Sequence, residues 1–176
     1  MEFDRRTTER LPFHDPDEAE PAHPVAPAPS RDARIRHLHR VPLFSGFDED
    51  ELRRVADLAR IVEIPTGQEV THLGAPGDAF FVIIDGTVAV TTPVGASGQL
   101  HPGDFFGEMS LIDDEPRSAT ITASTELRLL VVDRLHFWRL LEETPELMRR
   151  VLTTLSRRVR RLEHVADTTP SGTTPA

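Results

Sequence analysis

The chain has 176 residues, a formal net charge of −9 and no cysteine. That length suits one domain with a real core plus tails, and the missing thiols exclude a disulfide framework or a thiolate metal site. No apolar run approaches the roughly 18–20 residues needed to span a bilayer. Met1 to Arg10 is polar and lacks an apolar signal core, so a cytoplasmic protein with no membrane contact is expected. The acidic balance argues against general nucleic-acid binding. All 20 basic residues are arginine.

Residues 1–34 read as a disordered tail. Its first 30 residues hold six prolines and seven acids against three arginines, with few large apolar residues to offset ordering entropy. A folded unit is expected over 35–144. Leu38, Val41, Leu43 and Phe44 cluster around Pro42 and predict a short helix and a turn. Asp48 with Glu51 forms a capping box, and Phe47 and Leu52 form a staple, so a helix follows with Leu52, Val55, Ala56 and Ala59 on its buried face.

From Ile61 the pattern becomes strand-like. Apolar and β-branched runs at 61–64, 80–84, 87–90, 119–122 and 127–132 are separated by glycines, which predicts antiparallel strands. The fold class expected is mainly β, a sandwich or barrel with flanking helices. After Val132, Asp133 caps one helix, and Thr144-Pro145 starts a long one over 145–166. Residues 167–176 are rich in Thr, Pro and Gly and are expected to fray.

The chemistry concentrates between two strands, in Phe105-Phe106-Gly107-Glu108-Met109-Ser110-Leu111 and Pro116-Arg117-Ser118-Ala119-Thr120. Met109 and Ser110 begin a run able to make one helical turn, whose free N–H groups favour an anion. Arg117 offers a planar fork for phosphate oxygens, and Ser118 adds a hydroxyl. Glu108, an acceptor only when ionised, suits sugar hydroxyls. Together these groups can hold a phosphorylated sugar.

This string resembles the phosphate-binding cassette of cyclic-nucleotide-binding domains of the bacterial type. The resemblance extends over about Leu38 to Val165, through Val41-Pro42-Leu43-Phe44, Gly77-Asp78, Asp85-Gly86 and Gly103-Asp104. It implies a double-stranded β-helix, or jelly-roll, barrel. It also implies a regulatory sensor that is not an enzyme and needs no cofactor, with cAMP as the ligand and cGMP as the second candidate. By resemblance, Glu108 accepts from the ribose 2′-hydroxyl and Arg117 pairs with the cyclic phosphate. Ser118 and the Ala119 N–H complete the cradle, and Gly107 lets the chain approach the sugar. Ser118, where cGMP-preferring members often carry Thr, leans towards cAMP. The resemblance offers Leu162 as the lid over the base, and Arg158 as a residue able to reach Glu108 or to lie exposed.

In the last helix Met148, Leu152, Leu155, Val159, Leu162 and Ala166 fall at steps of four and three, a heptad seam. A homodimer through this helix is expected, the other reading being a helix folded back on its own domain. Six arginines against two glutamates make residues 145–165 basic, which suits an acidic effector surface or a solvated face. Transcription factors of the family carry a helix-turn-helix domain after this helix. Only 167–176 follow here, so sequence-specific DNA binding is not expected.

Two other readings compete. A docking domain with a vestigial pocket keeps the fold and loses the ligand. A metal-dependent cupin needs imidazoles inside the barrel, but the single His-x-His pair, His37 and His39, precedes it.

Overall fold

The computed structural model describes residues 30–167. Most of the two expected tails, 1–29 and 168–176, lies outside the described residues.

The first described element is α1 (Arg31–Leu38), which includes residues 31–34 of the segment expected as tail. Two interactions invisible to hydrophobic patterning hold it there. Ser30 caps the helix by accepting from the Ala33 amide, and Arg31 pairs with Asp57 at 2.5 Å. A 3₁₀ turn over Pro42–Phe44 leads to α2 (Glu49–Leu58). The capping box forms as expected, with Asp48 accepting from the Glu51 amide at 2.8 Å and Glu51 accepting from the Asp48 amide at 2.9 Å.

The strands are β1 (Arg60–Ile64), β2 (Glu69–Thr71), β3 (Ala79–Asp85), β4 (Val88–Thr92), β5 (Gly95–Leu100), β6 (Phe105–Phe106), β7 (Thr120–Ala123) and β8 (Leu127–Asp133). They form two four-stranded sheets, ordered β1-β8-β3-β6 and β2-β7-β4-β5, with every pairing antiparallel. The two-sheet, helix-flanked architecture is the one expected, but the sheets do not close into a barrel. β1 and β6 remain edges of the first sheet, and β2 and β5 of the second. The very short β2 and β6 leave too little ladder to stitch the sheets into a cylinder.

Two apolar clusters follow from the alternation of β3 and β8. Phe80, Val82, Leu130 and Val132 face the helices and join Leu38, Phe44, Leu52, Phe137 and Leu147. Phe81, Ile83, Leu129 and Val131 face the other sheet and join Val88, Phe106 and Ile121. One strand pair therefore serves both layers, which is why its apolar run is continuous.

After β8 come α4 (Arg134–Glu143), capped by Asp133, and α5 (Pro145–Asp167). The expected capping by the Thr144 hydroxyl is not made. Its backbone carbonyl accepts from the Leu147 and Met148 amides, while the hydroxyl is buried with no hydrogen-bond partner among the described residues. Packing against the core sets the start of α5, with Leu147 and Val151 each 1% exposed.

Candidate nucleotide-binding site

β6 places the start of the cassette. Phe105 and Phe106 pair with Val82 and Phe81 of β3, and the Phe81 and Phe106 rings stack at 4.9 Å. The chain then turns at Gly107, where φ is +84°. A Cβ there would sit 2.7 Å from the Ala79 carbonyl oxygen and 2.7 Å from Arg117 Nη1, so the position requires glycine on both conformational and steric grounds. The turn drives Glu108 inward, to 1% exposure, and starts the single-turn helix α3 (Met109–Ile112).

Arg117 returns from the far end of the cassette and is 6% exposed. Its Nη1 donates to the Gly107 carbonyl and its Nη2 to the Ala79 carbonyl, both at 2.9 Å, and the guanidinium lies over the Phe81 ring. Its backbone is clamped from a third direction. The Arg117 amide donates to Ala75 O at 2.9 Å, and Arg117 O accepts from the Gly74 amide at 2.8 Å. The guanidinium thus joins β3 to the Gly107 turn, whose carbonyls orient it, while the loop before β3 holds its backbone.

Of the other expected cassette residues, Ser110 is 2% exposed and packs against Gly77, where a Cβ would lie 2.4 Å from Ser110 Cβ. Met109 and Ser118 are exposed, with the Ser118 hydroxyl 3.6 Å from the Met109 sulfur. Ala119 is half-buried, and its carbonyl accepts from the Thr71 hydroxyl. Glu108, Arg117 and Gly107 therefore converge, while Ser118 and Met109 sit on the rim.

The final helix completes the site. Arg158 of α5 reaches back, donating from Nη1 to Glu108 Oε1 and from Nη2 to the Phe105 carbonyl, both at 2.5 Å. Its guanidinium also covers the Phe105 ring at 5.0 Å. Of the two readings open for Arg158, the structure has the Glu108 partner. Leu162, the expected lid, lies outside the residues whose side chains are described.

Burial pushes the Glu108 carboxyl above its ordinary value, and Arg158 and then Arg117 pull it back. Burial likewise holds the Arg117 guanidinium below its ordinary value, opposed first by Asp78 and then by Glu108. The resulting site has a carboxylate between two cations, a donor–acceptor set that fits a hydroxylated anion.

One supporting residue escaped sequence reasoning. Arg134, the first residue of α4, donates to the Gly77 carbonyl at 2.7 Å and the Ser110 carbonyl at 2.9 Å, and pairs with Asp114. Asp114 itself has φ +59°, an unusual conformation for a non-glycine residue. Arg134 hides in the sequence because two of its partners are backbone carbonyls, which leave no residue pattern.

Other clefts and clusters are unrelated to the cassette. A cavity of about 390 Å³ opens near Glu63, Asp85, Glu126 and Arg128, at the β1–β8 edge. His37 and His39 lie at the end of α1, outside the sheets. Among the described residues no three His, Asp or Glu side chains are grouped to hold a metal ion, and no helix is long and apolar enough to cross a membrane.

Residues 61–144 match the family model described as cyclic nucleotide-binding domain. The chain is 39% identical over 107 residues to a cyclic nucleotide-gated potassium channel of Mesorhizobium japonicum, a match covering 61% of this chain and 30% of the channel. It is 37% identical over 115 residues to the cAMP-dependent protein kinase regulatory subunit of Aspergillus fumigatus, covering 64% of this chain and 28% of that subunit. The chain thus spans less than a third of these curated relatives. Among solved structures, a cyclic nucleotide-binding domain from Methylobacillus flagellatus superposes with a TM-score of 0.64 at 26% identity, over 82% of this chain and 86% of that one. The two-sheet fold, the cassette and these matches together identify residues 61–144 as a domain of the cyclic nucleotide-binding family. The chain carries a regulatory domain of the kind found in kinase regulatory subunits and catabolite activator proteins.

Proposed function

We propose that this chain binds a cyclic nucleoside monophosphate, preferring cAMP to cGMP, and passes the binding event through α4 and α5 to a partner. The observation that carries the reading is the convergence of buried Glu108 and buried Arg117 across the Gly107 turn. The carboxylate accepts from the ribose 2′-hydroxyl and the guanidinium neutralises the cyclic phosphate. Neither role involves bond making, so the domain acts as a sensor and not as an enzyme. Arg158 links the sugar-binding carboxylate directly to α5. A ligand hydroxyl at Glu108 shares or displaces that contact, which is the route to the helix. Two exposed apolar residues seven positions apart on α5, Leu152 and Val159, support a homodimer contact, and the helix's arginines suit an acidic effector.

Calorimetric titration with cAMP, cGMP and cyclic dinucleotides tests the reading. Arg117→Ala should weaken cAMP binding by about 2–5 kcal/mol, roughly 30-fold to several-thousand-fold. Unchanged affinity in a natively folded variant would overturn the site. Ser118→Thr should narrow the preference for cAMP, since one hydrogen bond to the guanine amino group is worth about 1 kcal/mol, near fivefold. A wild-type preference for cGMP would refute that role for Ser118.

A docking domain with a vestigial pocket is the second reading. It is favoured by one observation: Arg117 is 6% exposed and already spends two of its five N–H donors on backbone carbonyls, so a phosphate has only the remaining three to engage. Failure of every nucleotide to bind would support it.

A further inference from the structure

The chain has no cysteine, so its sulfur nucleophiles are three thioethers, those of Met1, Met109 and Met148. Met148 is half-buried and packs against the helix-facing core, and Met1 lies outside the described residues. Met109 is 44% exposed, at the first position of α3. The one sulfur open to solvent among the described residues therefore stands at the nucleotide cassette.

A polar group reaches that sulfur. The Ser118 hydroxyl donates to Met109 Sδ at 3.6 Å. Met109 follows Glu108 and Ser118 follows Arg117, so the contact bridges the two arms of the cassette across its rim. A thioether is a weak acceptor, and a serine hydroxyl has a single proton to give. That proton is spent on sulfur, at the edge of the cradle proposed for the cyclic phosphate.

Exposure and this hydroxyl suit Met109 to oxidation by hydrogen peroxide. A sulfur lone pair forms a bond to one peroxide oxygen as the O–O bond breaks. The departing hydroxide takes the proton from the oxygen left on sulfur, giving methionine sulfoxide and water. Sulfur loses two electrons and the peroxide gains them. Negative charge gathers on the departing oxygen, and the Ser118 hydroxyl stands where it can donate to it. The product exchanges a weak acceptor for a polar, strongly accepting one. Its oxygen then holds the Ser118 proton, and the negative end of the new dipole lies at the rim of a cradle that must receive an anion.

We infer that Met109 is a peroxide-sensitive modification site at the mouth of the cassette, and that its sulfoxide lowers the affinity for a cyclic nucleotide. The effect on affinity rests on the nucleotide-binding function proposed above, whereas the reactivity of the sulfur does not. Methionine sulfoxide reductases, one for each epimer, restore the thioether and with it the affinity.

The test treats the full-length protein with hydrogen peroxide, samples it over time and digests it with trypsin. Cleavage after arginine places Met109 in peptide 61–117 and Met148 in peptide 140–149. Mass spectrometry should find the added oxygen on the Met109 peptide well before the Met148 peptide. Ser118→Ala should slow oxidation of Met109 relative to Met148, an effect that a merely exposed thioether would not show. Calorimetric titration should give a cAMP affinity about tenfold lower in the oxidised protein, in keeping with the loss of one hydrogen bond to a charged group. Treatment with both reductases should recover it. Met109→Leu, compared with itself before and after peroxide, should keep its affinity, which separates the effect of Met109 from damage elsewhere. Equal oxidation of the two methionines, an unmoved rate in Ser118→Ala, or equal cAMP affinity before and after oxidation of Met109 would overturn the inference. A wild type that binds no cyclic nucleotide before treatment would instead refute the nucleotide-binding function, and the effect on affinity with it, while the order of oxidation still decides the reactivity of Met109.

Discussion

Glu108 sits where burial and charge act in opposite directions. Its carboxyl is nearly sealed from water, and Arg158 supplies its one direct ion pair among the described residues. Burial prevails, so its folded pKa lies above the ordinary value of 4.5. The linkage sign follows: the protonated form favours folding, a contribution fully present below the ordinary value and lost as pH rises through the raised one. Ligand recognition runs the other way, because only the carboxylate is a pure acceptor. Affinity for cAMP should therefore fall on acidification at a higher pH than an ordinary glutamate would give. Arg158→Leu removes the main pull, so the acidic limb should move higher still. That variant should also cost about 3 kcal/mol of stability, as a buried carboxylate loses its partner. Titrations from mildly acidic to neutral pH check the shift, and an unmoved acidic limb in Arg158→Leu would disconnect Arg158 from Glu108 in solution. Glu108 and Arg117 were legible in the sequence because their motif is local. Arg134 was not, since its use depends on carbonyls that only the fold brings together.

At the scale of elements, α5 departs most from its sequence pattern. The four-three spacing marks Met148, Leu152, Leu155 and Val159 as one seam, but the structure divides it. Met148 and Leu155 pack against the domain's own core, beside the fully buried Leu147 and Val151. Leu152 and Val159 are 58% and 54% exposed. The periodicity identified an amphipathic helix correctly but could not say how many surfaces its apolar face meets. A charge at Leu155 would consequently test core packing as well as assembly. Leu152→Asp with Val159→Asp is the cleaner probe, because both residues are exposed in the single chain. Light scattering at tens of micromolar should show a dimer for wild type and a monomer for the double variant, whose melting temperature should no longer depend on protein concentration. A monomeric wild type would rule out the dimer. Strands show the same contrast. β3 and β8 announce themselves by continuous apolar runs, while β5, Gly95–Leu100, has almost no strand-forming residues and is held by its ladder with β4.

For the whole molecule, the consequence is that the site has no single structural owner. β3 supplies the Ala79 carbonyl, β6 leads into the Gly107 turn, and the loop before β3 clamps the Arg117 backbone. α4 ties the cassette through Arg134, and α5 closes it through Arg158. The order of helix, strands, helix and long helix was readable from periodicity and caps. That the two sheets stay open was not, because closure depends on pairing between distant edges. A ligand touching Glu108 and Arg117 therefore engages every layer of the native state and has nothing comparable to bind in the unfolded chain. By mass action, cAMP at 100 times its Kd should stabilise the fold by about 2.7 kcal/mol. For a domain of this size that corresponds to a rise in Tm of about 5–10 °C. Arg117→Ala should lose most of the rise at the same cAMP concentration. Arg158→Leu should start from a lower Tm yet still respond, because the phosphate cradle is intact. Differential scanning calorimetry with and without cAMP measures all three. An equal rise in wild type and Arg117→Ala would mean that the nucleotide stabilises the protein from somewhere other than the cassette.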